Sequence, residues 1–414
     1  MDGFRTVGQP AASGAVHAML ASRVPHALLL VGPPAVGKHT LALDLAAGLL
    51  CTGATGGARP CRECRGCRMV EHGNHPDLHR LAPSGPGNQI RIGEDQHPEP
   101  GTIRRLAADL ALLPVEGGER VAVIRDAQRM NDVAQSALLK TLEEPPASTT
   151  LILCADDEEL LLPTIRSRCA RIRLGTVGPR DVERLLGDLQ LADPPRAARL
   201  ARVAAGRPGL AVAYARSADA ERLRGELVRS LLDLLARSRA ERLVAARDLQ
   251  ATAMALAAAL EAPPGVAPET RPRKGRTPAA IAAVASVTTV AAAEPGPPSD
   301  AANAGAAPDD TTPADAGGGK ASAAERRRAI AMLLDLWRDV ARDLECVARG
   351  APGAVRDVAL LEDLQRAAAE LPPGAAASAM AGLVRAGELL DVNATPELLL
   401  DVLLIRWPHA GTAA

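Results

Sequence analysis

Aromatic residues are almost missing: they make up 1% of 414 positions, namely Phe4, Tyr214, Trp337 and Trp407. A core without them has to be closed with Ala, Leu and Val, side chains that suit helices meeting at close range. Charge of one sign is lacking too. The 48 basic and 49 acidic residues leave a net charge of -1, which excludes a global field drawing the chain to nucleic acid or to an anionic membrane. Any DNA contact has to be local or shared with partners. No run of about 18 apolar residues occurs, and the start, MDGFRTVGQP, lacks a charged-then-apolar signal pattern. A soluble, cytoplasmic protein with no membrane partner is expected, and no internal repeat is evident.

The length exceeds what one hydrophobic core serves, about 250 to 300 residues, so two or three domains are expected. HALLLVG (26–32), RVAVIRDA (120–127) and TTLILCA (149–155) are short apolar runs without alternation. The stretches between them, TLALDLAAGLL (40–50) and VAQSALLKTLEEPP (133–146), show helical spacing. Apolar strands separated by helices indicate an α/β fold with a parallel sheet covered on both faces. From about residue 176 onward the periodicity is only helical. It is broken by residues 262–324, which are rich in Pro, Ala, Gly, Thr and Asp and poor in large apolar side chains. That composition predicts disorder, because it buries too little surface to offset chain entropy. Helical spacing returns at RRRAIAMLLDLW (326–337), so the insert interrupts one helical domain.

GPPAVGKHT (32–40) is a phosphate-binding loop with one residue changed. Gly32, Gly37 and Lys38 are in place, so backbone N–H groups, the lysine and a helix N-terminus can all face phosphate. His39 stands where a Ser or Thr hydroxyl normally holds Mg2+ between the β- and γ-phosphates. Thr40, the nearest hydroxyl, sits about 100 degrees further round the helix. Asp126 follows the second strand and is the candidate partner carboxylate, but the next residue, Ala127, cannot serve as a base toward water. Nucleotide binding, ATP or ADP, is therefore compatible with the sequence, and efficient metal-assisted hydrolysis is less expected.

Cys51, Cys61, Cys64 and Cys67 have the spacing Cx9CxxCxxC. Four thiolates can close a tetrahedral shell around Zn2+, and a closed shell makes the site structural rather than catalytic. His72 and His75 are expected to be solvated loop residues.

HALLLVGPPAVGKHT, the four cysteines, HPDLHRL (75–81), SALLKTLEEPP (136–146) and TIRSRC (164–169) occur in the order in which bacterial clamp loader subunits of the AAA+ superfamily carry them. The chain resembles that family by motif over about residues 1–210 and by helical layout beyond. The resemblance implies an AAA+ P-loop NTPase domain at 1–175 with the zinc module at about 51–75. It further implies a helical lid at 176–216 and an all-α collar at 217–410 interrupted by the insert. Arg168 of SRC then corresponds to an arginine finger acting in trans, with Arg166 the less favoured neighbour. The implied partners are gamma/tau- and delta-type subunits in a hetero-pentamer, the sliding clamp, and primed DNA through the complex. His39 and Ala127 depart from the motor pattern, as does Gly209 of GRPGLAV (206–212), where motor subunits place a lid arginine and Arg207 lies two residues early. A non-hydrolysing or weakly hydrolysing subunit is expected, its alternative being a gamma/tau-type motor. Arg326, Arg327 and Arg328 read as a solvated helix start, and RPRKGR (271–276) as a weak nucleic-acid contact at most.

Overall fold

The computed structural model describes residues 3–54, 58–84, 88–116, 118–261, 322–391 and 394–409. In chain order its first part runs α1 (Pro10–Ala21), β1 (Ala27–Val31), α2 (Lys38–Leu49), α3 (Arg65–His72), β2 (Leu78–Leu81), α4 (Ile103–Leu110) and β3 (Arg120–Ile124). It continues through α5 (Asp132–Glu143), β4 (Thr149–Ala155), α6 (Pro163–Arg166) and β5 (Ala170–Arg173). All strand pairs are parallel, in the order β2-β3-β4-β1-β5. The three central strands are the three apolar runs, and every residue of β3 and β4 is buried. β2 and β5 are edge strands buried over only part of their length; LHRL and ARIR hold too few apolar residues to read as strands on their own.

Side chains alternate across the sheet. Leu28 and Leu30 therefore pack with Leu41 and Leu45 of α2 on one face. Leu29, Leu151 and Leu153 pack with Ala134 and Leu138 of α5 on the other. Full burial of such a side chain contributes about 1.5–3 kcal/mol, which fixes the register and so fixes where β1, β3 and β4 end. Their carboxyl ends place the phosphate loop, Asp126 and Asp156 side by side, the crevice where open parallel sheets bind ligands.

Three short helices follow, α7 (Pro179–Asp188), α8 (Pro194–Val203) and α9 (Pro208–Arg216), each with proline in its first turn, where the missing N–H has no helical partner to lose. The remaining helices are α10 (Ala218–Asp233), α11 (Arg239–Glu261), α12 (Ala323–Ala348), α13 (Leu361–Ala369), α14 (Ala375–Asp391) and α15 (Pro396–Arg406). One continuous hydrophobic cluster runs from Val177 through these helices to Trp407. At its centre Trp337 and Trp407 meet edge to face, with centroids 5.0 Å apart and planes at 60°.

Among the described residues α11 is the one helix long and apolar enough, by length and composition, to cross a membrane. It instead lays Ala245, Ala246, Leu249, Ala253 and Leu256 into the helical core.

The insert read from composition as 262–324 lies outside the described residues up to 321. Its last residues do not follow that reading: Ser322 and Glu325 form a reciprocal capping box that starts α12 at Ala323. Arg326, Arg327 and Arg328 are engaged within the fold rather than solvated. Arg326 reaches Glu397 at 3.0 Å, Arg328 pairs with Glu261, and Arg327 donates to the carbonyls of Leu390 and Ala394.

Candidate functional site

The loop between β1 and α2 rims a cavity of about 870 Å³. Gly37, Lys38, Thr40 and Asp126 line it, together with His39, Arg125 and Asp156. Gly32 lies beneath: a Cβ there would meet the Leu174 carbonyl oxygen at 2.2 Å, so only glycine lets the strand approach. Gly37 takes φ +107°, which turns the chain into α2. Lys38 is buried, and its Nζ donates to the carbonyls of Gly32 and Pro33 at 2.6 and 2.7 Å and to Asp156 Oδ1 at 2.7 Å. Asp156 is held in turn by Gln128, whose Nε2 donates to Oδ2 at 3.1 Å and whose Oε1 accepts from the Asp156 N–H at 3.2 Å.

His39 takes the first turn of α2 with its Nδ1 buried and unpartnered among the described residues. Burial, with Arg125 and Arg80 nearby, lowers its pKa to about 4, so it is neutral near pH 7. Asp126 sits in the left-handed region, φ 52°, and pairs with Arg125 at 3.3 Å. Ala127 beside it is fully buried. From the start of α9, the Gly209 N–H donates to the Ala35 carbonyl at 2.9 Å, and a Cβ at Gly209 would lie 3.2 Å from that oxygen. Arg207 faces away, toward Asp335 and Asp339 of α12 at 4.0 and 3.7 Å.

The N-terminal segment, Phe4 to Val7, also lines the cavity. Buried Asp44 of α2 accepts from the N–H of Arg5 at 3.1 Å, from the N–H and hydroxyl of Thr6 at 2.9 and 2.6 Å, and from Arg62 of the cysteine module.

Cys51, Cys61, Cys64 and Cys67 come together with their sulfurs all within 4.8 Å of one another. The Cys51 to Cys61 and Cys51 to Cys64 separations are 3.5 and 3.9 Å. A tetrahedral shell with metal–sulfur bonds of about 2.3 Å has edges of about 3.8 Å, so the four thiols fit a single metal ion. Two of the sulfurs accept backbone N–H groups, Cys61 from Cys64 and Cys64 from Cys67, each at 3.4 Å, a contact that favours thiolates. Gly53 lets the backbone pass, since a Cβ would stand 3.0 Å from the Cys61 sulfur. His75 is not a solvated residue: it is buried, and its Nδ1 accepts the Asp77 N–H at 3.1 Å. His72 is exposed, but it closes α3 and bonds the Arg68 carbonyl at 2.7 Å, so it is not a loop residue. In the HPDL stretch, buried Asp77 accepts from the N–H groups of Val115 and Glu116 at 2.7 and 3.0 Å, tying the β2 entry to the loop before β3.

Arg168 lies in the turn between α6 and β5, outside the chain's own phosphate cavity. Its guanidinium reaches Glu143 at 2.6 Å and donates to the Thr164 carbonyl at 3.1 Å. Thus the LEEPP and SRC stretches, distant in sequence, meet through one ion pair. Arg166 is only 18% exposed at its side chain against 36% for Arg168, and it is taken up by Glu159 at 2.6 Å.

Sequence reasoning did not find Asp156, Gln128, Arg125, Asp44 or Arg62. A usable signal existed for Asp156, which follows the third apolar strand as Asp126 follows the second. The Asp44 and Arg62 pairing had none.

The strand order, the phosphate loop after β1 and the helices that follow define an AAA+ P-loop NTPase fold with a tetra-cysteine module inserted after α2. Residues 9–177 match the family model described as DNA polymerase III, delta subunit. The chain is 35% identical over 197 residues to the DNA polymerase III subunit delta' of Escherichia coli (strain K12), covering 47% of this chain and 55% of that one. It is 40% identical over 151 residues to the delta' subunit of Pseudomonas aeruginosa, covering 35% and 42%. To the tau subunit of Salmonella typhimurium it is 32% identical over 183 residues, covering 43% and 26%. Over these residues the chain is similar to DNA polymerase III delta' subunits. It spans about half the length of the curated delta' relatives it matches.

Proposed function

We propose that the chain is a clamp loader subunit that hydrolyses little or no ATP by itself and lends Arg168 to ATP held by a neighbouring subunit. The observation that carries this reading is an asymmetry. Arg168 stands at the surface, held by an exposed carboxylate and the Thr164 carbonyl, while the chain's own cavity offers a neutral histidine in place of the Mg2+ hydroxyl and a buried alanine in place of a base. A guanidinium fork stabilises charge that builds on the transferred phosphoryl group, and such arginines contribute roughly 10³–10⁵ in rate. Gamma/tau- and delta-type subunits would complete a hetero-pentameric, cytoplasmic assembly acting on the sliding clamp and primed DNA. The four cysteines would hold a structural zinc, whose chemistry is to cross-link the loop after α2 to α3.

The test is a reconstituted loader carrying Arg168→Ala. Assembly is expected to persist while DNA-stimulated ATPase and clamp loading fall at least tenfold; unchanged loading refutes the reading. The similarity to tau subunits makes a motor the alternative. Saturable ATP turnover by the isolated chain, abolished by Lys38→Ala, would establish it.

A further inference from the structure

We infer that the cavity at the phosphate loop is a nucleoside-diphosphate site that discriminates against triphosphates, with Asp156 as the specificity-determining residue. The inference rests on reading the cavity as a nucleotide site, and it is independent of Arg168.

Lys38 decides the matter. In phosphate loops the lysine balances charge on the β- and γ-phosphates, and here its ammonium is already paired at 2.7 Å with Asp156. That carboxylate is not free to swing aside, because Gln128 holds its second oxygen and its backbone N–H. A terminal phosphate brought to Lys38 would therefore meet a fixed like charge at close range, which is repulsive at any dielectric the site can have.

The other cations lining the cavity already carry acidic partners, Arg5 with Glu71 and Arg125 with Asp126. Arg207 is turned toward Asp335 and Asp339, and Gly209 brings only its N–H. His39 supplies no hydroxyl for the cation that would shield a β,γ pair.

The groups that serve the inner phosphates remain: the glycine-turned backbone, the start of α2, and two Lys38 protons now on the carbonyls of Gly32 and Pro33, which a β-phosphate oxygen can replace. In this arrangement the Asp156 carboxylate takes the place on Lys38 that a γ-phosphate takes elsewhere.

The experiment is calorimetric titration of the full chain with ADP and with ATP, each with and without Mg2+. The wild type is expected to bind ADP at least tenfold tighter than ATP, with Mg2+ shifting neither constant more than threefold. Asp156→Asn removes the charge, leaves an oxygen for Lys38 and gives up the bond from Gln128 Nε2, and it should tighten ATP at least tenfold while moving ADP less than threefold. Lys38→Ala should abolish binding of both. A wild-type preference below tenfold, no ADP binding at millimolar concentration, or an unchanged ratio in Asp156→Asn overturns the inference. The wild-type ratio decides even if the variant proves unstable. Loss of arginine donation would leave this measurement untouched.

Discussion

Replacing Asp44 by Ala should loosen the N-terminal wall of the cavity without unfolding the sheet. Asp44 is 1% exposed, and its two oxygens serve two backbone N–H groups, the Thr6 hydroxyl and the Arg62 guanidinium. Removing one partner of a buried ion pair costs about 3–5 kcal/mol, because the other charge is left uncompensated. Arg62 is 18% exposed at its side chain, so water reaches part of it, and the low end, about 3 kcal/mol, is the working figure. The stacking of Phe4 on His17 at 3.9 Å and the bonds of Gln9 to Gly175 survive the change, so the loss is confined to the segment between those anchors. Three kcal/mol is roughly a hundredfold in an opening equilibrium. Hydrogen exchange resolved to residues 3–9 should therefore speed up about a hundredfold, while β3 and β4 exchange as before. Acceleration below about tenfold, or equal acceleration throughout the sheet, would refute the assignment of Asp44 as a local clamp.

Metal analysis should find one zinc per chain. Displacing it with a mercurial should release a single equivalent and also raise exchange at residues 3–6, because Arg62 leaves Asp44 with the module. The His39 imidazole, ordinarily near 6.5 and lowered to about 4 by burial, has a definite sign in stability. The folded state binds the proton less well than the unfolded chain, so the contribution is present above pH 6.5 and is lost as pH falls toward 4. Full loss amounts to about 3 kcal/mol, and His39→Gln should flatten that part of the urea-midpoint profile. Arg242, fully buried and without an acidic partner among the described residues, donates to the carbonyls of Arg237, Leu404, Trp407 and Pro408. Arg242→Met should cost about 3 kcal/mol through orphaned carbonyls, with the largest increase in exchange at the end of α15.

Legibility in the sequence followed the physics of each element. β1, β3 and β4 could be read because buried parallel strands are continuous apolar runs, whereas β2 and β5 escaped because these short edges carry polar side chains, His79 and Arg80 in one and Arg171 and Arg173 in the other. The cysteines could be read because metal geometry imposes short, fixed spacings. Burial of His75 could not, since nothing in HPDL says that Asp77 turns inward to hold Val115 and Glu116 and takes the histidine with it. The start of α12 was lost for a simpler reason: Ser322 and Ala323 look like the polar stretch before them, and only the pairing of Ser322 with Glu325 separates cap from linker.

The contrast between the two basic groups at the centre of the functional reading is energetic. Lys38 is buried and holds three acceptors at once, so a β-phosphate has two neutral carbonyls to replace there, and a γ-phosphate has the Asp156 carboxylate to displace as well. Arg168 is bound to a carboxylate that is itself half exposed, and pairs of that kind contribute about 0–1 kcal/mol. A phosphoryl group offered by a neighbour therefore has little to displace at Arg168 and a great deal to displace at Lys38. The same chain can present one cation outward and keep the other occupied, because the two sit at opposite ends of the solvation scale.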